Sequence, residues 1–379
     1  MRGKRATTAT VIAALTTATV APALAVTPGY DGAALQRDLD AIRAAGIVGV
    51  QAHADTGARR LTARSGTAEA GTSIPVPRGG SFRMGSSTKT FVAVVVLQLV
   101  GEGKLALEDK VAGLLPGVVT SPAGDQITVR HLLQQTSGLH DFVADLPARD
   151  QAAFLERRFD HVPAAQFVAD AMSKPPEFAP GTGWAYSNTN YLLAGMLVER
   201  LTGNSWADEV RSRILDPLEL NDTYAPGEAT GLAAPHAKGY TRWPGTPEPV
   251  ETTELSPTWG DASGGLVSTT ADMTRFWQAL LGGELLAPAE FAEMRKTVPA
   301  TGWQKNNPGS AYGLGIASLP LSCGEVAWSH NGDVMGFQTR NGFSDDGSRG
   351  VVVSLSTQDF GTSPARDVVK RVVDEVVCE

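Results

Sequence analysis

Between Phe91 and Val100 only Gln98 is polar, so this stretch presents apolar side chains in every direction. The spacing predicts a helix over 86–102, with Phe91, Val94, Val95, Leu97, Leu99 and Val100 on a wide apolar face and burial nearly all round. Gly101 and Gly103 stop it. Elsewhere the period changes. Ile47 to Ala54 alternates, turns at Asp55-Thr56-Gly57-Ala58 and returns from Arg60 to Ala63, which predicts a hairpin. Met335 to Gly342 and Gly350 to Thr357 read as strands joined by a turn at Asp345-Asp346-Gly347. A last helix is opened by Ser363 as cap and Pro364 at the first position, and Val368, Val369, Val372, Val373, Val376 and Val377 form its apolar stripe.

The region between is different in kind. From about 106 to 255 the chain reads as helices and loops: a helix capped by Thr128, a turn at Pro180-Gly181-Thr182-Gly183, and a helix from Asn190 to Leu201 stopped by Gly203. A further helix covers Ala271 to Leu281. Strands near both ends with helices between them predict an α+β fold: an antiparallel sheet built from both chain ends, flanked by helices, with a mostly helical region inserted over about 106–255.

Composition narrows the function classes. The chain has 379 residues, 42% hydrophobic and 19% charged, so it can bury a large core. A net charge of −8 disfavours nucleic acid or an anionic membrane as partner. Arg2, Lys4 and Arg5 precede a mildly apolar stretch from Ala6 to Val20, and Ala23-Leu24-Ala25 reads as a cleavage site. The expectation is an export signal over 1–25, a mature domain over 26–379, a secreted protein, and no stable membrane insertion. An even count of two cysteines in an exported chain favours a Cys323–Cys378 disulfide.

Three short motifs carry candidate chemistry. In Ser86-Ser87-Thr88-Lys89 the first and last side chains share a helix face, so a lysine can take the proton that keeps serine a poor nucleophile. The helix start adds free backbone N–H groups for a developing oxyanion. In Tyr186-Ser187-Asn188 the phenol can shuttle protons and the amide can both donate and accept; an extended backbone would point both side chains the same way. In His330-Asn331-Gly332 the imidazole stands before a strand and the glycine leaves room for a substrate backbone. Histidines 53, 131, 140, 161 and 236 show no metal-ligand spacing and read as structural or surface groups. Gly260-Asp261-Ala262-Ser263-Gly264-Gly265 reads as a glycine-rich turn near the site, since there is no Gly-x-Ser-x-Gly elbow.

As an ordered set these motifs resemble the penicillin-recognising serine hydrolases, which include class C β-lactamases, DD-peptidases and related esterases. Within that family the chain is most similar to the secreted streptomycete D-alanyl-D-alanine carboxypeptidases. The resemblance runs through Met84–Phe91, Ile127–Leu139, Pro180–Gly203, Trp259–Thr270 and Tyr312–Gly336. It implies a β-lactamase/transpeptidase-like fold and an acyl-enzyme on Ser86, with Lys89 and Tyr186 as the proton-transfer pair. It further implies an oxyanion hole from the N–H groups of Ser86 and Asp333, substrate held by Asn188, His330, Asn331 and Gly332, and Trp259 lining the pocket. No metal or organic cofactor is implied. The expected partner is a peptide, ester or β-lactam small molecule, and the expected state a monomer.

The resemblance also exposes departures. The arginine that holds the terminal substrate carboxylate in those carboxypeptidases is Ala317 here, and two hydroxyl residues after the histidine are Asn331 and Asp333. A carboxylate facing a carboxylate is unfavourable. These departures weigh against a carboxylate-ended substrate; on the resemblance as a whole, carboxypeptidase-like activity is still the first expectation, with β-lactamase, esterase or D-aminopeptidase activity as the alternative and a β-lactam-binding module as the non-enzymatic one. Pro217 stands where a class A β-lactamase would carry its deacylating glutamate.

Overall fold

The computed structural model describes residues 3–4, 6–9, 29–122, 124–246, 248–360 and 365–379. Most of the expected export signal, its cleavage site, and the Ser363-Pro364 cap lie outside these residues. Helix α1 spans Gly32–Ala44, capped by the Asp31 carboxylate, and leads into the hairpin β1 (Gly49–Thr56) and β2 (Arg60–Gly66). The buried helix α2 covers Thr88–Gly101, α3 Thr189–Thr202 and α4 Thr270–Leu281. The later strands are β3 (Val298–Pro299), β4 (Ala311–Tyr312), β5 (Ala317–Pro320), β6 (Val326–Ser329), β7 (Gly332–Val334), β8 (Phe337–Phe343) and β9 (Arg349–Leu355). Helix α5 (Ala365–Cys378) closes the chain.

These strands form one antiparallel sheet in the order β2-β1-β9-β8-β6-β5-β4-β3, with β7 pairing only β8. Strand β9 lies beside β1 in the register Val50 to Leu355 and Ala54 to Val351, so early and late segments of the chain meet inside the sheet, one strand in from its β2 edge. Period-2 alternation decides which side chains face which layer. Val351, Val353 and Leu355 pack with Val50, Ala52 and Ala54 under α1 and α5, whereas Val352 joins the larger core containing Trp277 and Phe343. Both faces are covered, which is why β9 is buried along nearly its whole length.

Helix α2 runs through the larger core. Phe91 to Leu97 and Leu99 are all buried, and Phe91 stacks on Phe276 of α4. Gln98, the lone polar residue of that run, donates Nε2 to the Leu285 carbonyl at 2.9 Å. The expected Thr128 cap forms, with its hydroxyl accepting from the His131 N–H while His131 Nδ1 accepts from the Thr128 N–H. Gly203 ends α3 in the left-handed conformation at φ 80°. A small sheet, in which Tyr240–Arg242 lies between Thr357–Asp359 and Val250–Glu251, stands beside the main one. Two-residue strands such as β3 and β4 carry no alternation, so pattern reading does not find them. Cys323 and Cys378 form a disulfide that ties the end of α5 to the β5–β6 turn. Among the described residues no helix is long and apolar enough to cross a membrane.

Candidate active site

Ser86 lies in a single 3-10 turn, Gly85–Ser87, that runs directly into α2. The turn is fixed from both sides. Ser87 Oγ donates to the His330 carbonyl at 2.6 Å, and Thr88 Oγ1 accepts from the Leu266 N–H at 3.1 Å. Gly85 has φ +53°, and a Cβ there would stand 2.9 Å from the Asp333 backbone nitrogen. A Cβ on Gly332 would lie 1.9 Å from the Met84 carbonyl oxygen and 3.1 Å from the Ser86 nitrogen. The expectation that Gly332 leaves room for substrate is corrected: the space it leaves is filled by the turn that carries Ser86. Strand β7 and that turn are pressed together, with the Asp333 nitrogen beside Gly85 and the Ser86 nitrogen beside Gly332.

Lys89 is completely buried one helical turn beyond Ser86. Its Nζ lies 3.1 Å from Ser86 Oγ, 2.7 Å from Asn188 Oδ1 and 2.6 Å from the Ser263 carbonyl oxygen. The last two are acceptors that cannot donate. A neutral amine has two N–H bonds, which these acceptors use, and its lone pair then faces the serine hydroxyl. Burial depresses the Lys89 pKa to about 7, against the opposing pull of Asp141. Ser263 comes from the glycine-rich stretch, which forms a short helix over Asp261–Gly264 rather than a plain turn.

Asn188 does not lie in an extended segment. It occupies the N-cap position of α3 with helical angles, φ −67° and ψ −27°, and its side chain makes no capping bond. The amide instead spans two side chains: Oδ1 accepts from Lys89, and Nδ2 donates to the Asp141 carboxylate at 3.1 Å. Asp141 Oδ1 also accepts from the Asn188 N–H at 2.9 Å. The donor expected to reach a substrate amide is thus shared with Asp141, a residue that no motif flagged.

Tyr186 places its ring 4.9 Å from Lys89 Nζ. Among the described residues its buried hydroxyl meets no partner at full hydrogen-bond geometry. Burial first, and then the neighbouring Tyr312, push its pKa well above the ordinary phenol value, with the Ser86 hydroxyl the main opposing influence. The phenol is therefore protonated at neutral pH.

His330 sits between β6 and β7 and is buried. Tyr312 Oη lies 2.7 Å from its Nε2, and its Nδ1 lies 2.9 Å from the Asn331 carbonyl. Since a carbonyl only accepts, Nδ1 carries the proton and Nε2 accepts from Tyr312. Burial and the nearby Lys89 lower its pKa to about 3, so the ring is neutral. Both nitrogens are used inside the protein, which makes His330 a brace for β7. Asn331 acts likewise: its Oδ1 accepts from the Asn341 N–H at 3.2 Å.

Two clefts open at Ser86. One, of about 220 Å³, is bounded by Val143, Leu146, Leu255, Trp259, Met335 and Phe360. Its one buried cation, Arg83, is committed to the carbonyls of Thr253 and Thr230. The other, of about 840 Å³, is reached past Tyr186, Asn188 and Trp303 and includes His330, Asp333 and Arg340. Asp333 Oδ1 accepts from Arg340 Nη2 at 2.7 Å and from Gln338 Nε2 at 3.0 Å. Among the described residues no group of three or more His, Cys, Asp and Glu side chains is placed to hold a metal ion.

Known proteins with this arrangement are numerous. A family model described as Beta-lactamase matches residues 33–377. Penicillin-binding protein 4 of Amycolatopsis lactamdurans is 32% identical over 260 residues, which is 63% of this chain and 65% of that protein. The chain spans about half to two thirds of the length of the curated relatives it matches. Solved structures align over more. A D-stereospecific amidohydrolase from Streptomyces sp. superposes with a TM-score of 0.83 at 34% identity, covering 90% of this chain and 98% of that one. A D-amino acid amidase from Ochrobactrum anthropi SV3 gives 0.78 at 28% identity, covering 89% and 96%. With its turn-borne serine one helical turn ahead of a buried lysine, the chain belongs to the beta-lactamase family, the penicillin-recognising serine hydrolases.

Proposed function

We propose that this protein is an exported, D-stereospecific serine amidohydrolase that works through an acyl-enzyme on Ser86. The observation that carries the reading is the set of fixed acceptors at Lys89, Asn188 Oδ1 and the Ser263 carbonyl, which leaves the amine lone pair for Ser86 Oγ. As Ser86 attacks the scissile carbonyl, Lys89 takes its proton. The N–H groups of Ser86 and Asp333 receive the oxyanion. The Tyr186 hydroxyl, which meets no partner at full hydrogen-bond geometry among the described residues, passes a proton to the leaving nitrogen, and Lys89 resupplies it. Water then attacks the ester by the reverse route.

The two clefts divide the substrate. Tyr186 borders only the larger one, so the leaving group lies there and the acyl part enters the apolar cleft beside Trp259. That cleft suits an apolar or aromatic acyl side chain. Support for an amide of a D-amino acid comes from the two D-specific amide hydrolases whose structures align along nearly the whole chain, and from Ala317 standing where a carboxylate-binding arginine was expected. D-Alanyl-D-alanine carboxypeptidase-like activity is the second reading; it requires Arg340 in the leaving-group cleft to exchange Asp333 for the substrate carboxylate.

The test follows hydrolysis of D- and L-phenylalanine amides and captures the acyl-enzyme by intact mass, with Ser86→Ala as control. Turnover of the D-amide alone, lost in Ser86→Ala, is expected. Equal turnover of both enantiomers, or turnover that survives Ser86→Ala, would overturn the reading. Sequencing the N-terminus of secreted protein tests export, with a start near Val26 expected.

A further inference from the structure

Arg340 is a cation in the leaving-group cleft that is already occupied. Its Nη1 donates to the Gly332 carbonyl at 3.0 Å and to the Thr339 carbonyl at 2.9 Å, which fixes the guanidinium against the β7–β8 pair. Its Nη2 donates to Asp333 Oδ1 at 2.7 Å. The Arg340 side chain is 21% exposed and that of Asp333 48% exposed, so the carboxylate is the more solvent-facing member of the pair. Both line the cleft that also holds Ser86, Tyr186 and Ala317. A guanidinium held by two backbone carbonyls is preorganised to bind a carboxylate. Here the carboxylate is supplied by the protein itself, two residues before Met335 on the strand that carries the second oxyanion N–H.

We infer that Asp333 sets leaving-group choice by occupying Arg340: its carboxylate fills the anion-binding side of the guanidinium, so the cleft accepts a neutral leaving group and rejects one ending in a carboxylate. The inference rests on the acyl-enzyme reading above and deepens it. An incoming carboxylate gains nothing from a neutralised arginine and meets an exposed like charge beside it. Freed of Asp333, the same arginine becomes a receptor for that carboxylate, on a different strand from Ala317.

The probes are D-phenylalanyl-D-alanine and its C-terminal amide, which share acyl group and leaving residue and differ only in the terminal charge. The quantity read is the ratio of their kcat/KM values. In Asp333→Asn the ratio should shift toward the free acid by about tenfold or more. In Asp333→Asn/Arg340→Ala that gain should vanish. Arg340→Ala alone, which leaves Asp333 unneutralised, should move the ratio several-fold the other way. An unchanged ratio in Asp333→Asn, or a gain that persists without Arg340, would overturn the inference. D-Phenylalanine p-nitroanilide, whose leaving group carries no charge, is followed in every variant. Its Ser86-dependent hydrolysis by the unmodified enzyme separates the two claims: if it is present and the ratio does not move, only the leaving-group inference falls, and if it is absent the acyl-enzyme reading falls with it.

Discussion

One amide joins Lys89 to Asp141: Asn188 turns its oxygen to the lysine at 2.7 Å and its nitrogen to the carboxylate at 3.1 Å. Because a carboxylate only accepts, Asp141 settles which way the Asn188 amide faces, and so keeps an acceptor on Lys89. Asp141 also acts through space, raising the Lys89 pKa against the effect of burial. Replacing it with asparagine removes the charge. The acidic limb of the kcat/KM–pH profile should then move to lower pH, and Asp141→Ala, which also frees the amide, should lower kcat by up to ~100-fold. A purely structural role for Asp141 would lower activity without moving the limb.

Activity should depend on the unprotonated form of Lys89. With a pKa of about 7, kcat/KM should rise about tenfold per pH unit below that value and level off above it.

The same group links folding to pH. Between about 7 and the ordinary lysine value of 10.5 the native amine is neutral while the unfolded one is protonated, so the unfolded chain binds more protons and stability rises with pH across that window. Lys89→Met should abolish activity and flatten that slope relative to the unmodified protein. Urea unfolding at several pH values checks the difference.

Gly332→Ala should cost about 1–3 kcal/mol by forcing β7 away from the Ser86 turn, because the new Cβ would meet the Met84 carbonyl at 1.9 Å. Loss of activity should accompany the fall in urea midpoint. Full activity in this variant would mean that the turn and strand can separate without disturbing the oxyanion site.

Tyr312→Phe leaves a buried imidazole nitrogen unpaired, a loss of about 1–3 kcal/mol. A double-mutant cycle with His330→Ala should show coupling between the two positions. Additive effects would indicate that Tyr312 acts by packing alone.

Removing the Cys323–Cys378 bridge, which closes a segment of 55 residues, should lower stability by about 2–4 kcal/mol. Comparison of the double serine variant with the oxidised protein by denaturant midpoint gives the value.

What the sequence reveals about this site, and what it hides, follows from which atoms do the work. Ser86 and Lys89 are legible because helical geometry alone places positions i and i+3 together. Asn188 is legible as a residue but not in its backbone, since an asparagine before a helix reads equally as strand end or N-cap. Ser263 contributes a carbonyl, an atom that every residue has, so nothing in its identity marks it. Asp141 precedes Asn188 by 47 residues in a stretch without periodicity. Arg340 is hidden because a strand pattern records only alternation, and its pairing with Asp333 depends on the β7–β8 register. The resemblance draws attention to Ala317 as a missing cation, whereas the fold supplies one from another strand.

The meeting of β1 with β9 has a consequence for how the protein comes into being. Ser356 Oγ reaches the Gly49 carbonyl across 307 residues, and strand β7 lies downstream of almost everything else in the site. Contacts of such separation form late, because the entropy of closing the long loop must be met first. Synthesis would therefore have to pass Ser356 before the sheet could close behind Ser86. The surroundings of Ser86 are complete only once β7 and the strands that follow it are in place.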